Sequence, residues 1–112
     1  MNLKEIGKAV LEGALSKGFF LGNSIRSDEA PRELALVHSE VSEALEEMRK
    51  PDPQVLYYGP DGKPEGVGPE LADVIMRVAE CAAAWNIDLD EMVRIKNDFN
   101  KSRPFKHGGK RF

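Results

Sequence analysis

Apolar positions recur along this chain at helical intervals. Leu3, Ile6, Val10, Leu11 and Leu15 share one arc, which predicts a first helix over residues 1–17 ended by Gly18. Phe19, Phe20 and Leu21 then form an apolar plug, suited to the core or a subunit contact, before the loop signal Gly22-Asn23-Ser24. A second helix is expected from a cap at Ser27 or Asp28, through Pro31 in its first turn, to about Arg49. Its apolar stripe is Leu34, Val37, Val41, Ala44, Leu45 and Met48. Glu33, Glu40, Glu43 and Glu47 fall on the adjoining arc, Glu46 points away, and His38 is offset from both arcs as a surface or subunit-contact residue.

Residues 51–68 hold four of the seven prolines and four of the ten glycines and read as a loop. Connections of this length inside a small domain are often functional. Tyr57-Tyr58 and the Gly59-Pro60-Asp61-Gly62 turn suit a short hairpin or a mobile lid. Gly68-Pro69-Glu70 opens a third helix with Leu71, Val74, Ile75, Val78, Ala82 and Trp85 as its stripe and Glu70, Asp73 and Arg77 on one flank. Asn86-Ile87-Asp88 breaks it, and Asp88-Leu89-Asp90-Glu91 restarts a last helix to about Ser102. That helix has Leu89, Met92, Val93, Ile95 and Phe99 as core candidates, with Lys96, Asn100 and Arg103 on one face. Pro104 ends it, leaving an extended tail to Phe112. The expected fold is all-α: a single domain over residues 1–112, a small antiparallel bundle of four to five helices completed by oligomerisation.

Charge adds a second layer. The net charge of -3 argues against a nucleic-acid polymer as partner. From Arg94 to Phe112, however, seven Lys or Arg face a single acid, Asp98, so a basic tail follows an acidic body. The lone Cys81 excludes an internal disulfide and reads as a small buried thiol. No apolar run is long enough to span a membrane, and Lys4, Glu5 and Lys8 interrupt any signal-peptide pattern, so a cytoplasmic location is the expectation.

The chemistry concentrates in two acid pairs. Glu40 and Glu43, and again Glu70 and Asp73, stand three residues apart, so each pair points to one side of its helix. If the two helices pack antiparallel through their apolar stripes, the pairs face each other across a gap. Four converging carboxylates repel unless a cation lies between them, and Mg²⁺, with Mn²⁺ as the alternative, is a hard ion that takes oxygen ligands. Ions held there can clamp a polyphosphate, while Lys96, Arg103, Lys106, Lys110 and Arg111 offer counter-charge. Solvated helix faces supply the plain alternative, with Arg77 neutralising Asp73 in an ordinary salt bridge.

Glu40-x2-Glu43, a 26-residue gap and Glu70-x2-Asp73 together resemble the signature of MazG-like nucleotide pyrophosphohydrolases, of the all-α NTP pyrophosphatase superfamily. The segment from Lys96 through Asn100, Arg103 and His107 to Lys110 looks like the C-terminal segment of the small single-domain members, so the resemblance covers roughly residues 30–112. Where the family often has a further Glu before the first motif acid, this chain has Ser39. The resemblance implies Mg²⁺-dependent cleavage of a nucleoside triphosphate between the α and β phosphates, in a homodimer or dimer of dimers. It implies Glu40, Glu43, Glu70 and Asp73 as metal ligands and Glu40 or Glu43 as the residue that orients the attacking water. Lys96, Asn100, Arg103, His107 and Lys110 would contact substrate. House-cleaning of (d)NTPs is the expected role. A related hydrolase of dUTP or phosphoribosyl-ATP, and a noncatalytic helical regulatory dimer, are the alternatives.

Overall fold

A computed structural model describes residues 1–16 and 29–103. The expected aromatic plug at Phe19 and Phe20, the cap at Ser27 or Asp28, and the tail with His107 and Lys110 lie outside the described residues. Within them the chain is mostly helical, as the periodicity predicts. Helix α1 spans Leu3–Ser16, α2 Glu29–Met48, α3 Val67–Ala84 and α4 Leu89–Ser102. A hairpin of two short strands, β1 (Tyr57–Tyr58) and β2 (Pro64–Glu65), separates α2 from α3.

The local signals act as their chemistry requires. Asn2 caps α1 by accepting from the Glu5 N–H at 2.8 Å. Asp90, far away in sequence, accepts from the Leu3 and Lys4 N–H groups at 3.1 and 3.0 Å, which ties the start of α1 to the start of α4. Asn86 stops α3 in the left-handed conformation at φ 61. The Asn86 and Ile87 N–H groups bond back to the Ala83 and Ala82 carbonyls, which makes a Schellman cap. Asp88 then accepts from the Glu91 N–H and starts α4.

Helix α3 begins earlier than the Pro69 signal predicts. Its first N–H groups find partners in the preceding loop: Val67 donates to the Gln54 carbonyl and Gly68 to that of Val55. Gly66, at φ 114, allows this approach, because a Cβ there would stand 2.7 Å from the Val55 carbonyl oxygen. The loop thus becomes a hairpin with Tyr57 opposite Glu65, closed at Gly62 and stitched to the head of α3.

Helices α2 and α3 run antiparallel. Glu33 lies at Glu80, Glu40 at Arg77, and Glu43 near Glu70. They meet through only part of the expected stripes: Ala44 and Ala82 are buried and Val37, Val74 and Val78 are half-buried. Leu34, Val41, Leu45 and Met48 stay 45–56% exposed, as do Leu71 and Ile75 at 47 and 48%. The buried apolar residues are Ala14, Ala44, Ala79 and Ala82. The core candidates of α4 are also largely outside: Met92, Val93, Ile95 and Phe99 are 41–56% exposed. The physical reason lies in the acidic arc of α2. Its carboxylates turn toward Arg77 on α3, and that rotation carries the larger apolar side chains outward.

Helix α1 crosses α3 at close range through small residues. A Cβ on the buried Gly7 would run into the Ala79 carbonyl and stand 3.2 Å from the Ala83 Cβ. Gly7→Ala gains about 1 kcal/mol of helix propensity but overpacks the crossing by about 1–3 kcal/mol, so a net loss of stability in urea unfolding is expected. Gly13→Ala, on the same helix with nothing within 4 Å of the added carbon, is expected to raise stability.

Candidate metal centre

Two groups of carboxylates occupy the α2–α3 seam, and they are neutralised differently. The first is a cluster around Arg77. Its Nε lies 3.4 Å from Glu40 Oε1, and its Nη1 lies 3.9 Å from Glu33 Oε2 and 3.8 Å from Glu80 Oε1. The ordinary Arg77–Asp73 salt bridge considered from spacing is replaced by these three pairs. Among the described residues Glu80 is the largest fully buried side chain, only 2% exposed, and Glu33 is 7% exposed. Burial, a hydrogen bond with Glu33 and the Glu33 charge push the Glu80 carboxyl up to about 7. Arg77, whose Nη1 faces both carboxyls, opposes that shift.

The second group is the pair of motifs that spacing brought forward. Carboxylate oxygens of Glu40, Glu43 and Glu70 all lie within 4.8 Å of one another. Asp73 is more exposed and stands beside them, near enough to act on both Glu40 and Glu70. Burial raises the Glu40 carboxyl above its usual range; the Glu43 and Asp73 charges add to this and Arg77 opposes it. Burial, then the Glu43 and Asp73 charges, raise Glu70 as well, and a hydrogen bond with Glu43 and the Glu40 charge add to it. Among the described residues, no Lys or Arg makes an ion pair with Glu43, Glu70 or Asp73. Glu70 Oε2 is buried without a hydrogen-bond partner. An all-oxygen donor set with an orphaned buried oxygen fits a small hard cation.

Members of both groups, though not Glu43 or Glu70, line one cavity of about 480 Å³, walled by α1, α2 and α3. Glu40 and Asp73 line one part, Glu33 and Glu80 another, and Arg77 lies between them in sequence. Of the substrate-contact candidates, Lys96 and Asn100 line a different groove, on α4 with Leu89, Met92 and Val93. Lys96 and Arg103 both sit over the Phe99 ring, at 5.6 and 5.8 Å. Within one chain, then, the acid motifs come together and the basic face of α4 stands elsewhere. Glu80 is the residue that sequence reasoning missed. It continues the Glu70, Asp73, Arg77 flank at the next helical step, and that spacing was the available signal.

Cys81 is half-buried and packs with Leu11 and Ala84 around Ala14. Burial, with the Glu33 and Glu80 charges, raises its thiol, which makes it a poor nucleophile. No described helix is long and apolar enough to cross a membrane. No protein family, curated protein or solved structure matches the chain.

The buried Glu80 gives stability a pH signature. Its folded pKa, about 7, lies above the ordinary 4.5, so the folded state binds the extra proton between those values. The stability this proton contributes is complete below pH 4.5 and is lost as pH rises through about 7. The melting temperature of metal-free protein is expected to fall across that interval, and Glu80→Gln is expected to flatten the slope. Equal slopes in the two proteins would exclude a proton retained at Glu80.

Proposed function

We propose that this protein is a Mg²⁺-dependent nucleoside triphosphate pyrophosphohydrolase, cleaving between the α and β phosphates to release a nucleoside monophosphate and pyrophosphate. The observation that carries this reading is the convergence of Glu40, Glu43 and Glu70 within 4.8 Å, with no Lys or Arg among the described residues in an ion pair with Glu43 or Glu70. A cation held between these carboxylates would offset their mutual repulsion. The resemblance to MazG-like enzymes supplies the bond that is cut.

Glu40, Glu43, Glu70 and Asp73 would hold the ion, which when bound supplies Lewis acidity toward a polyphosphate. The chain's own contribution to the chemistry centres on Glu40. Arg77 fixes its Oε1, and the raised carboxyl makes it a better proton acceptor than an exposed glutamate. In the proposed reaction a water attacks phosphorus, its proton passes to Glu40, and the bond to the bridging oxygen breaks as pyrophosphate leaves. Glu43, one turn on, orients that water.

Lys96, Asn100 and Arg103 are proposed to meet the substrate from a neighbouring subunit, with His107 and Lys110 closing over it. The exposed stripes of α2 and α3 support a homodimer or dimer of dimers, since apolar faces of this kind mark interaction surfaces. The fitting role is house-cleaning of nucleotides inside the cell.

Two measurements test the reading. Pyrophosphate release from a panel of dNTPs with Mg²⁺ is expected from the wild type and should fall roughly 100-fold or more in Glu43→Gln, because a metal clamp is worth several kcal/mol. Orthophosphate alone as product would place the cut elsewhere. Mg²⁺ at about 100 times its Kd is expected to stabilise the folded protein by about 2.7 kcal/mol, raising its melting temperature. An unchanged melting temperature would rule out the converging site.

A further inference from the structure

The loop between the two acid motifs folds into a hairpin, and that hairpin holds both motif helices at the end where the motifs meet. On one side it grips α2. The Tyr57 hydroxyl donates to Glu47 Oε1 at 3.2 Å. Lys50 Nζ donates to the same oxygen at 3.0 Å and to the Tyr57 hydroxyl oxygen at 2.9 Å, so the three groups close one ring of hydrogen bonds. The Glu47 side chain is 13% exposed, and its other oxygen, Oε2, is buried with no hydrogen-bond partner. Among the described residues, the carboxylate is therefore oriented through Oε1. On the other side the hairpin grips α3. Val67 donates to the Gln54 carbonyl at 3.0 Å and Gly68 to the Val55 carbonyl at 2.8 Å. Glu70 lies in the first turn so held, its N–H reaching the Gly66 carbonyl at 3.3 Å. Gln54 and Tyr57, one anchor for each helix, stand three residues apart in the chain. Three residues span at most about 11 Å, which leaves little slack between the anchors.

Glu47 belongs to the acid arc of α2, one turn beyond Glu43. Along this arc Glu33 and Glu40 face Arg77, and Glu47 faces Lys50 and Tyr57. Glu43 stands between these two attachments, so α2 is pinned on both sides of its turn. Arg77 acts two turns along α3 from Glu70, whereas the hairpin acts in the turn of Glu70 itself. Mg²⁺ demands near-ideal octahedral geometry, so the spacing of carboxylates on two different helices has a narrow tolerance. Groups that hold ligands in place without touching the ion matter for that reason.

On the reading of Glu40, Glu43, Glu70 and Asp73 as metal ligands, we infer that Tyr57 is a positioning residue for the metal centre. With Lys50 it holds Glu47, and through the hairpin it fixes the spacing of Glu43 and Glu70. The segment from residue 51 to residue 68 is then a brace between the two motifs. Loss of one half-buried hydroxyl costs the fold little, since water can replace its partners, but a loosened brace changes the metal geometry directly.

Mn²⁺ binding to the full chain without nucleotide, followed by electron paramagnetic resonance, tests this apart from turnover. Tyr57→Phe keeps the ring and removes the hydroxyl. It is expected to weaken Mn²⁺ binding roughly tenfold, with the melting temperature in EDTA close to that of the wild type. The Mg²⁺ concentration for half-maximal pyrophosphate release is expected to rise by the same factor. Tyr58→Phe removes a hydroxyl from the neighbouring, 65% exposed position and is expected to leave Mn²⁺ affinity unchanged. Glu47→Ala is expected to weaken binding as Tyr57→Phe does, and the double variant no further, because both changes break one contact. Wild-type affinity in Tyr57→Phe overturns the inference and leaves the metal centre standing. So do losses that add in the double variant, or an equal loss in Tyr58→Phe. A loss of affinity that comes only with a comparable fall in the EDTA melting temperature makes Tyr57 a structural residue and also overturns it. Absence of Mn²⁺ binding in the wild type overturns the metal reading itself, and the positioning role with it.

Discussion

Arg77 is the constraint on which the α2–α3 pair depends. Three carboxylates, from Glu33, Glu40 and Glu80, gather around its guanidinium, and two of them are almost fully buried. Two like charges 4 Å apart repel by about 4 kcal/mol at the effective dielectric of a protein surface, so this cluster cannot form from ionised acids alone. The raised Glu80 carboxyl, at about 7, holds its proton more readily than an ordinary glutamate, and Arg77 offsets part of the remaining charge. The planar guanidinium can do this because its several donors diverge in a fixed fork; a lysine at this position would offer a single point charge. Truncating Arg77 would leave buried carboxylates without compensation, which is far more damaging than losing a surface pair.

Fixing Arg77 fixes the face that α2 turns inward, and much else follows. With Glu33, Glu40 and Glu43 toward α3, only Ala44 of the α2 stripe is buried, and Leu34, Val41, Leu45 and Met48 remain half-exposed. The same rotation places Glu40 at the boundary between the two carboxylate groups. One oxygen answers to Arg77, while the carboxylate also belongs to the triad with Glu43 and Glu70. Arg77 offsets part of the charge of the first group, whereas among the described residues no Lys or Arg pairs with Glu43 or Glu70 of the second.

Helix limits were legible in the sequence because their causes are local. Asp88 and Asn86 act through neighbouring backbone groups, and the described ends of α1, α3 and α4 fall within a residue or two of expectation. The start of α3 was less so, since Gly66 and the carbonyls of Gln54 and Val55 act through a loop folded back on itself. The convergence of Glu40, Glu43 and Glu70 was legible as periodicity. Which face of α2 would be buried was not, because an apolar stripe ordinarily outweighs an acidic one. The balance reverses only when a cation on the partner helix and a proton held at Glu80 together offset the cost of burial. Glu80 was legible only as the next step of the Glu70, Asp73 and Arg77 flank; that spacing does not show that Glu33 lies across from it.

The exposed apolar stripes and the separate basic groove of α4 have a common explanation. A chain this small that turns charged residues into its principal helix contact forgoes much of the apolar burial that would otherwise stabilise it. Leu34, Val41, Leu45, Leu71 and Ile75 are the side chains left over, and they lie on the two helices that carry the acid motifs. Lys96 and Asn100 line a groove that the carboxylates do not reach within one chain. A second copy packed on the α2–α3 stripes would bury the first set and could bring basic residues toward the acids. Oligomerisation would then serve stability and polyphosphate binding through one contact, because both deficits arise from the inward turn of α2 toward Arg77.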